Sequence, residues 1–132
     1  MGDRYFVSKL LEVLVCRRIA RNNPVAQLKV TVNFLNPGFC WSGLAHEFMN
    51  PAVKLLMILL ARSTEIGSRT LVHASVTAGD ETHGKYLSDC KITSCSSLVE
   101  GKEGWTLEER VWQELAEKLE QIQPGVIRVL DT

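Results

Sequence analysis

Residues 28–38 read LKVTVNFLNPG, and this stretch decides the fold class. From Leu28 to Leu35 the run is mostly apolar and rich in β-branched and aromatic side chains. That composition is typical of a strand covered on both faces, as in a parallel sheet. Asn36-Pro37-Gly38 then predicts a turn that ends the strand. The stretch therefore indicates an α/β protein.

Helical patterns flank this strand on both sides. A helix from Tyr5 to Ala20 precedes it, and Asn22-Asn23-Pro24 ends that helix. Asn50-Pro51 reads as an N-cap followed by a first helical residue, and Thr106 with Glu109 reads as a capping box. Helices are predicted from 51 to about 62, from 64 to about 78 and from 106 to about 121, and Ser63 or Thr64 caps the second of these. A short strand is predicted at 84–87 and a loop at 92–104.

Two predicted strands are too few to cover their own faces and edges. A chain of 132 residues is long enough for one domain with one core. We therefore expect the C-terminal part of a doubly wound, Rossmann-like parallel sheet. It should be incomplete, with about two strands and four to five helices.

Composition argues against several classes of partner. Fifteen basic and fifteen acidic side chains give zero net charge, so nothing favours nucleic acid or an anionic membrane. The longest apolar run, residues 55–61, is far shorter than the roughly 20 residues of a membrane helix. No export signal is visible at the start, so a cytoplasmic location is expected. The four cysteines form no CxxC pair and the three histidines are scattered, so no metal site is expected.

Tyr5 and Lys9 carry the chemistry that the residues suggest. Their spacing of four places both on one face of the first helix, one turn apart. An ammonium beside a phenol favours the phenolate, and such a phenol can exchange a proton with a carbonyl or alcohol oxygen as a hydride is transferred. The spacing alone is common on helices, so its context decides.

In context, the chain resembles the short-chain dehydrogenase/reductase family. That family has a Tyr-x-x-x-Lys helix, a strand ending in Pro-Gly, and a Thr or Ser four residues after that Gly. Tyr5 and Lys9, the strand ending at Pro37-Gly38, and Ser42 match this pattern in order. Residues 62–71 look like the family's next long helix and residues 84–87 like its late strand, so the resemblance covers roughly residues 5–90. The sequences of residues 4–5, 8–11 and 89–91 are most similar to those of fungal reductases of secondary metabolism.

The resemblance implies roles for particular residues. Tyr5 would be the general acid/base, and Lys9 would promote its ionisation and bind the nicotinamide ribose. The backbone from Pro37 through Gly38 to Cys40 would approach the carboxamide, with Ser42 beside the cofactor. The implied reaction is NADP-linked interconversion of a carbonyl and an alcohol on a small molecule.

The family's glycine-rich phosphate loop, its Asn-Asn-Ala-Gly strand end and its catalytic Ser all precede the Tyr helix. Only four residues precede Tyr5, and no two of the nine glycines are spaced as G-x-G. Residues 1–132 therefore read as a truncated domain without the pyrophosphate cradle. We expect the chain alone to be inactive, which leaves its status as an enzyme open.

Two alternatives remain. A cofactor-free pseudoenzyme, or one part of a split enzyme, would act as an interaction module. It would present Leu55, Leu56 and residues 58–60 to a second copy or to the missing N-terminal half, unless those side chains simply cover the sheet. An unrelated small helical binding module would require the ordered motifs to be coincidence.

Overall fold

The computed structural model describes residues 2–41, 43 and 50–129. Ser42, which the resemblance places beside a cofactor, lies outside these residues. The α-helices are α1 (Gly2–Asn22), α2 (Val25–Leu28), α3 (Pro51–Leu60), α4 (Thr64–Val72), α5 (Ser97–Glu100) and α6 (Lys102–Ile122). The strands are β1 (Phe34–Asn36), β2 (Tyr86–Ser88) and β3 (Lys91–Thr93). A π-helical turn (His73–Thr77) continues α4, and 3-10 turns span Asp80–Thr82 and Ile127–Val129.

The strands form one small mixed sheet in the order β1-β2-β3. β1 and β2 are parallel with Phe34 opposite Tyr86, and these two rings stack at 6.0 Å between centroids. β2 and β3 form an antiparallel hairpin whose two turn residues, Asp89 and Cys90, both have positive φ, as tight hairpin turns require. The expected incomplete α/β fold is confirmed, with three strands in the described residues instead of about two.

The predicted strand over residues 28–35 is wrong in extent. Leu28 ends α2, Lys29 adopts a left-handed φ of 55°, and only the last part of the run pairs in the sheet. Other partners satisfy the backbone in between. The Val32 N–H donates to His83 Nδ1 at 3.2 Å, and the Val32 carbonyl accepts from the Gly84 N–H at 2.7 Å. Strand-forming residues therefore extend towards the sheet without joining it.

The predicted loop at 92–104 and the capping box are also wrong. This region contains the end of β3, all of α5 and the start of α6, and Thr106 lies within α6. Gly101 is the N-cap of α6. A Cβ at Gly104 would collide with the Val99 carbonyl oxygen, so glycine is needed for the close approach of α5 and α6. Glycines that read as breakers in sequence thus begin a long helix.

The caps of the two middle helices are confirmed. Asn50 accepts from the Val53 N–H at 2.9 Å, with Pro51 at the first helical position of α3. The Ser63 hydroxyl accepts from the Ile66 N–H at 3.3 Å at the start of α4. Leu55, Leu59 and Leu60 are more than half exposed, so these side chains do not cover the three-stranded sheet of this chain.

A buried carboxylate joins α1 to α6, the pair of helices in most extensive contact. The Glu108 side chain is 3% exposed, and its oxygens lie 2.7 Å from Arg21 Nη2 and 3.8 Å from Arg17 Nε. One turn away from Arg21, Arg18 pairs with Glu109 at 2.6 Å. The Arg21 guanidinium also lies over the Trp105 ring at 4.4 Å. Charge pairing therefore fixes the C-terminal half of α1 against α6.

His83 attaches the same end of α1 to the loop before β2. Its Nε2 lies 3.0 Å from the carbonyl oxygens of both Ala20 and Asn23. Because Nδ1 accepts from Val32, the ring's proton belongs on Nε2, which donates to these helix-end carbonyls. One imidazole thus connects α1 to the segment that leads into β1.

In residues 2–41, 43 and 50–129, no helix combines the length and the apolar character needed to cross a membrane.

Replacing the buried carboxylate should destabilise the protein more than replacing its exposed neighbour. Glu108→Gln leaves Arg17 and Arg21 without their counter-charge, and we expect a loss of about 2–3 kcal/mol in the free energy of unfolding. Glu109→Gln is the matched control, because Glu109 is 46% exposed and its pair with Arg18 should contribute less than about 1 kcal/mol. Urea denaturation measures both. Equal losses would contradict the role given to Glu108.

Glu120 holds residues 125–127 against α6. Its Oε2 accepts from the Gly125 N–H at 2.7 Å and its Oε1 from the Ile127 N–H at 2.9 Å. These backbone hydrogen bonds lower the pKa of the Glu120 carboxyl below the ordinary 4.5. Ile127 is consequently buried.

This clamp should open in acid. A carboxyl whose pKa is lowered by folding contributes stability above its unfolded pKa, and that contribution is lost as the pH falls through the folded pKa. The Ile127 amide resonance should therefore shift, and its protection from exchange relative to the intrinsic rate at each pH should fall, as the pH drops below about 4.5. Glu120→Gln should remove this titration and show fast exchange at Ile127 already at neutral pH. An Ile127 signal insensitive to both changes would disprove the clamp.

Candidate active site

A cleft of about 780 Å³ lies between the N-terminal half of α1 and the sheet. Tyr5 and Lys9 line it from α1, and Asn36 and Pro37 line it from the end of β1. Its volume is within the roughly 300–1,000 Å³ range of small-molecule sites. The fold thus brings the Tyr-Lys pair and Pro37 to one concave surface.

Tyr5 and Lys9 lie on one face of α1, as their spacing predicts. The Lys9 Nζ is 6.0 Å from the centroid of the Tyr5 ring, and Tyr5 is 36% exposed. Phe6 packs edge-on against the Tyr5 ring at 5.6 Å. The ammonium and the phenol ring are therefore neighbours at the mouth of an open cleft.

Glu12 is a site residue that the sequence analysis missed. Its carboxylate accepts two hydrogen bonds from Lys9 Nζ, at 2.9 and 3.0 Å, and it also lines the cleft. The hydrogen bond and charge of Glu12 raise the pKa of Lys9. Its position three residues after Lys9 was the available signal, since that spacing puts a carboxylate beside the ammonium on a helix.

Residues 37–41 form a short extended segment beside the link between α3 and α4. Arg62 lies parallel to it. The Arg62 N–H donates to the Phe39 carbonyl at 2.8 Å, and the Trp41 N–H donates to the Arg62 carbonyl at 3.1 Å. Gly38 has a φ of 80°, which favours glycine, and its N–H donates to Asn36 Oδ1 at 2.9 Å. The expected turn at Pro37-Gly38 is present.

The structure brings only some of the candidate residues together. Tyr5, Lys9 and Pro37 line the cleft, whereas Gly38 and Cys40 lie next to it in the adjoining segment and are not in its lining.

Gly67 of α4 lets this segment pack closely. A Cβ at Gly67 would lie 2.9 Å from the Cys40 Sγ and 3.2 Å from the Cys40 Cβ. Such contacts are too short for an ordinary side chain. The thiol of Cys40 thus occupies the space that the missing Gly67 side chain leaves.

Gly67→Ala should destabilise the protein even though alanine favours helices. Crowding against Cys40 should cost more than the roughly 1 kcal/mol gained in helix propensity, for a net loss of about 1 kcal/mol. In a Cys40→Ala background the sulfur is gone, and Gly67→Ala should become neutral or stabilising. Denaturation of the four variants in a double-mutant cycle measures this coupling. Additive effects would show that Cys40 and Gly67 do not crowd each other.

A second cleft, of about 450 Å³, lies at the other end of α1. Arg17, Arg21 and Lys85 line it, together with the carboxylates of Glu100 and Glu108. Because Glu108 pairs with both arginines, little positive charge is left for an anionic ligand. The cleft beside Tyr5 is therefore the better candidate site.

The cysteines of the described residues are free thiols. Burial, with a smaller effect of the Glu12 charge, raises the pKa of the Cys16 thiol, which lines the first cleft. Among the described residues, no group of three or more His, Cys, Asp or Glu side chains could hold a metal ion.

The volume of the first cleft, with its phenol and ammonium, is compatible with a small molecule that carries a planar ring and hydroxyl groups, such as the nicotinamide half of a dinucleotide. Among the lining residues that the structure describes, Lys9 is the only cation, and Glu12 neutralises it. A pyrophosphate therefore finds no described counter-charge here.

Comparison with known proteins agrees with these motifs. The chain is 48% identical over 124 residues to the short chain dehydrogenase/reductase dmxR8 of Cryptosporiopsis sp., a match that covers 94% of the chain. It is 43% identical over 135 positions to the short-chain dehydrogenase anuD of Penicillium roqueforti, covering 96% of the chain. The chain belongs to the short-chain dehydrogenase/reductase family.

The matched region is a limited part of these reductases. The chain spans 38% of the dmxR8 protein and 35% of the anuD protein. A third fungal relative, the short chain dehydrogenase rstn4 of Aspergillus nomiae, is 32% identical over 89% of the chain. The match covers 31% of the length of rstn4. No family model and no solved structure matches the chain.

Proposed function

We propose that this chain supplies the acid/base half of a short-chain dehydrogenase/reductase site for NADP-linked interconversion of a carbonyl and an alcohol. The observation that carries the proposal is that Tyr5, Lys9 and Pro37 line one cleft although about thirty residues separate them. Three residues of an ordered family motif thus share the surface where a substrate could bind. The named relatives support the same chemistry.

In the proposed reduction, the Tyr5 hydroxyl donates its proton to the carbonyl oxygen. A bound nicotinamide would supply the hydride to the carbonyl carbon, so one C–H and one O–H bond form while the C=O π bond breaks. In the reverse direction, Tyr5 accepts the proton of the alcohol. Tyr5 lines the cleft and is 36% exposed, which supports access of a substrate to it.

Lys9 and the 37–42 segment would hold the nicotinamide half of the cofactor. The Lys9 ammonium would donate to the ribose hydroxyls, exchanging part of its contact with Glu12 for them. The backbone of Pro37, Gly38 and Cys40 would meet the carboxamide, with Ser42 beside it. The choice of NADP, and a role in secondary-metabolite biosynthesis, belong to the same proposal.

Used alone, the chain should be inactive. Glu12 already neutralises Lys9, the only cation described in the cleft lining, and the pyrophosphate needs donors from elsewhere. The nicotinamide half by itself makes few contacts, so the chain alone should bind it only weakly. The missing donors would come from a partner segment or from further sequence.

The test is a chimera in which this chain replaces the matched segment of the dmxR8 protein. With a panel of carbonyl substrates, we expect NADPH consumption that Tyr5→Phe reduces by at least about 100-fold in kcat. Lys9→Met should lower kcat and raise the KM for NADPH. Tyr86→Phe is the matched control, because it removes a phenol hydroxyl from the same cleft and keeps the ring stacked on Phe34.

Two results would contradict the proposal. Full activity of the Tyr5→Phe chimera would remove Tyr5 as the acid. NADPH-dependent turnover by the unmodified chain would show that it is not inactive alone.

A second candidate function is that of an interaction module. The observation that favours it is α3, where Leu55, Leu59 and Leu60 are 58%, 69% and 65% exposed and Met57 is buried. A helix that is apolar on most sides usually has a covering partner. A folded chimera without turnover, combined with self-association of the chain that Leu59→Glu abolishes, would favour this function.

A further inference from the structure

We infer that Arg62 and Asp89 are a positioning pair for the proposed site: together they hold residues 37–41 in place, and through them the backbone that would meet the nicotinamide. This inference rests on the proposed function for its last step. Neither side chain lines the cleft, so both would act through the segment and not on the substrate.

Arg62 is bound to the segment through its backbone. Its N–H and carbonyl pair with Phe39 and Trp41 on either side of Cys40, in a parallel bridge. The hydroxyl of Thr64 adds a further bond to the Trp41 carbonyl at 2.9 Å. The segment thus has one strand-like neighbour, and that neighbour is a link between helices rather than a strand of the sheet.

The Arg62 side chain lies against the segment as well. Its Nη1 is 3.3 Å from the position that a Cβ on Gly38 would occupy, and its Cζ is 3.6 Å away. Gly38 therefore serves two needs, a positive φ and room for the guanidinium. The arginine crosses the turn that begins the segment.

Beyond Gly38, the guanidinium reaches the β2–β3 hairpin. There Arg62 Nη1 pairs with Asp89 Oδ1. Asp89 has a φ of 50° in the tight turn, so the backbone aims the carboxylate from a fixed place. The hydrogen bond and charge of Arg62 lower the pKa of Asp89, as expected for a formed pair.

The pair therefore connects three elements that sequence keeps apart: the segment after β1, the link between α3 and α4, and the β2–β3 hairpin. β1 and β2 already fix the two ends of this arrangement through their parallel pairing. Among the described residues, the segment itself has no partner strand in the sheet. The ion pair therefore adds a second connection between the segment and the β2–β3 hairpin.

Amide hydrogen exchange on the unmodified chain tests the anchoring directly. Arg62→Met removes the guanidinium. Asp89→Asn removes the charge and keeps a residue that tolerates positive φ. Each should speed exchange at the amides of residues 41 and 62 by about 2- to 5-fold, the size expected for an exposed pair. The Gly84 amide, which is bound to the Val32 carbonyl, is the internal control.

A charge-swapped double variant separates positioning from general stability. Arg62→Glu alone faces Asp89 with a like charge and should give the fastest exchange. Adding Asp89→Lys should make exchange slower than in either single charge reversal, and the Asp89→Lys single variant accounts for the strain of a lysine at the positive φ of position 89. Exchange in the double variant as fast as in both single variants, or equal acceleration at the Gly84 amide, would show that residues 62 and 89 do not act as a pair.

Titration with reduced nicotinamide mononucleotide links the pair to the proposed site. This probe carries the half of the cofactor that the cleft fits and needs no pyrophosphate cradle. We expect weak binding to the parent chain, which Arg62→Met and Asp89→Asn each weaken by the same 2- to 5-fold as they accelerate exchange. If the variants exchange faster but bind the mononucleotide as tightly as the parent chain, the pair anchors the segment without affecting the cofactor site. That result would overturn the link to the cofactor. No binding by the parent chain, with the exchange effects intact, would count against the proposed function and leave the anchoring standing.

Discussion

The carboxylate of Glu108, buried between Arg17 and Arg21, decides where the first helix lies. The contacts of α1 with α6 are its most extensive, and the ion pairs at Arg17, Arg18 and Arg21 join α6 to the C-terminal half of α1. His83 holds the same end through the carbonyls of the last turn. The N-terminal half of α1, which carries Tyr5 and Lys9, lines the cleft. An electrostatic contact far from the candidate chemistry thus creates the space in which the chemistry could occur.

The other side of the cleft depends on different supports. Residues 37–41 are held by Arg62 and by the close approach of α4 at Gly67, and β1 joins them to the sheet. These supports are backbone pairing, steric fit and the exposed Arg62–Asp89 pair, whereas α1 is held by buried charge. High salt should weaken the exposed pair more than the contacts of the buried Glu108 carboxylate.

The sequence predicted what local patterns determine. The caps Asn50 and Ser63, the turn at Pro37-Gly38 and the shared face of Tyr5 and Lys9 all depend on neighbours within four residues. Prediction failed where distant partners decide. Residues 28–33 have strand-forming side chains, but His83, fifty-one residues after Val32, takes one of their hydrogen bonds.

Long-range pairs have no sequence signature at all. In the sequence, Glu109 reads as part of a capping box and Arg62 as the end of the helix predicted from residue 51. Only the fold shows that Glu108 is buried and that Arg62 meets Asp89. Glu12 is the exception among the missed residues, since its partner is three positions away and could have been found.

A helix clamped at one end behaves as a lever. From Arg17 to Tyr5 the axis of α1 is about 18 Å long at 1.5 Å per residue. A tilt of about 5° at the clamp would carry the Tyr5 backbone roughly 1.5 Å sideways, and a misplacement of about 1 Å can slow a reaction on the order of 100-fold. The accuracy of any chemistry at Tyr5 is therefore set by how stiffly a distant salt bridge resists rotation.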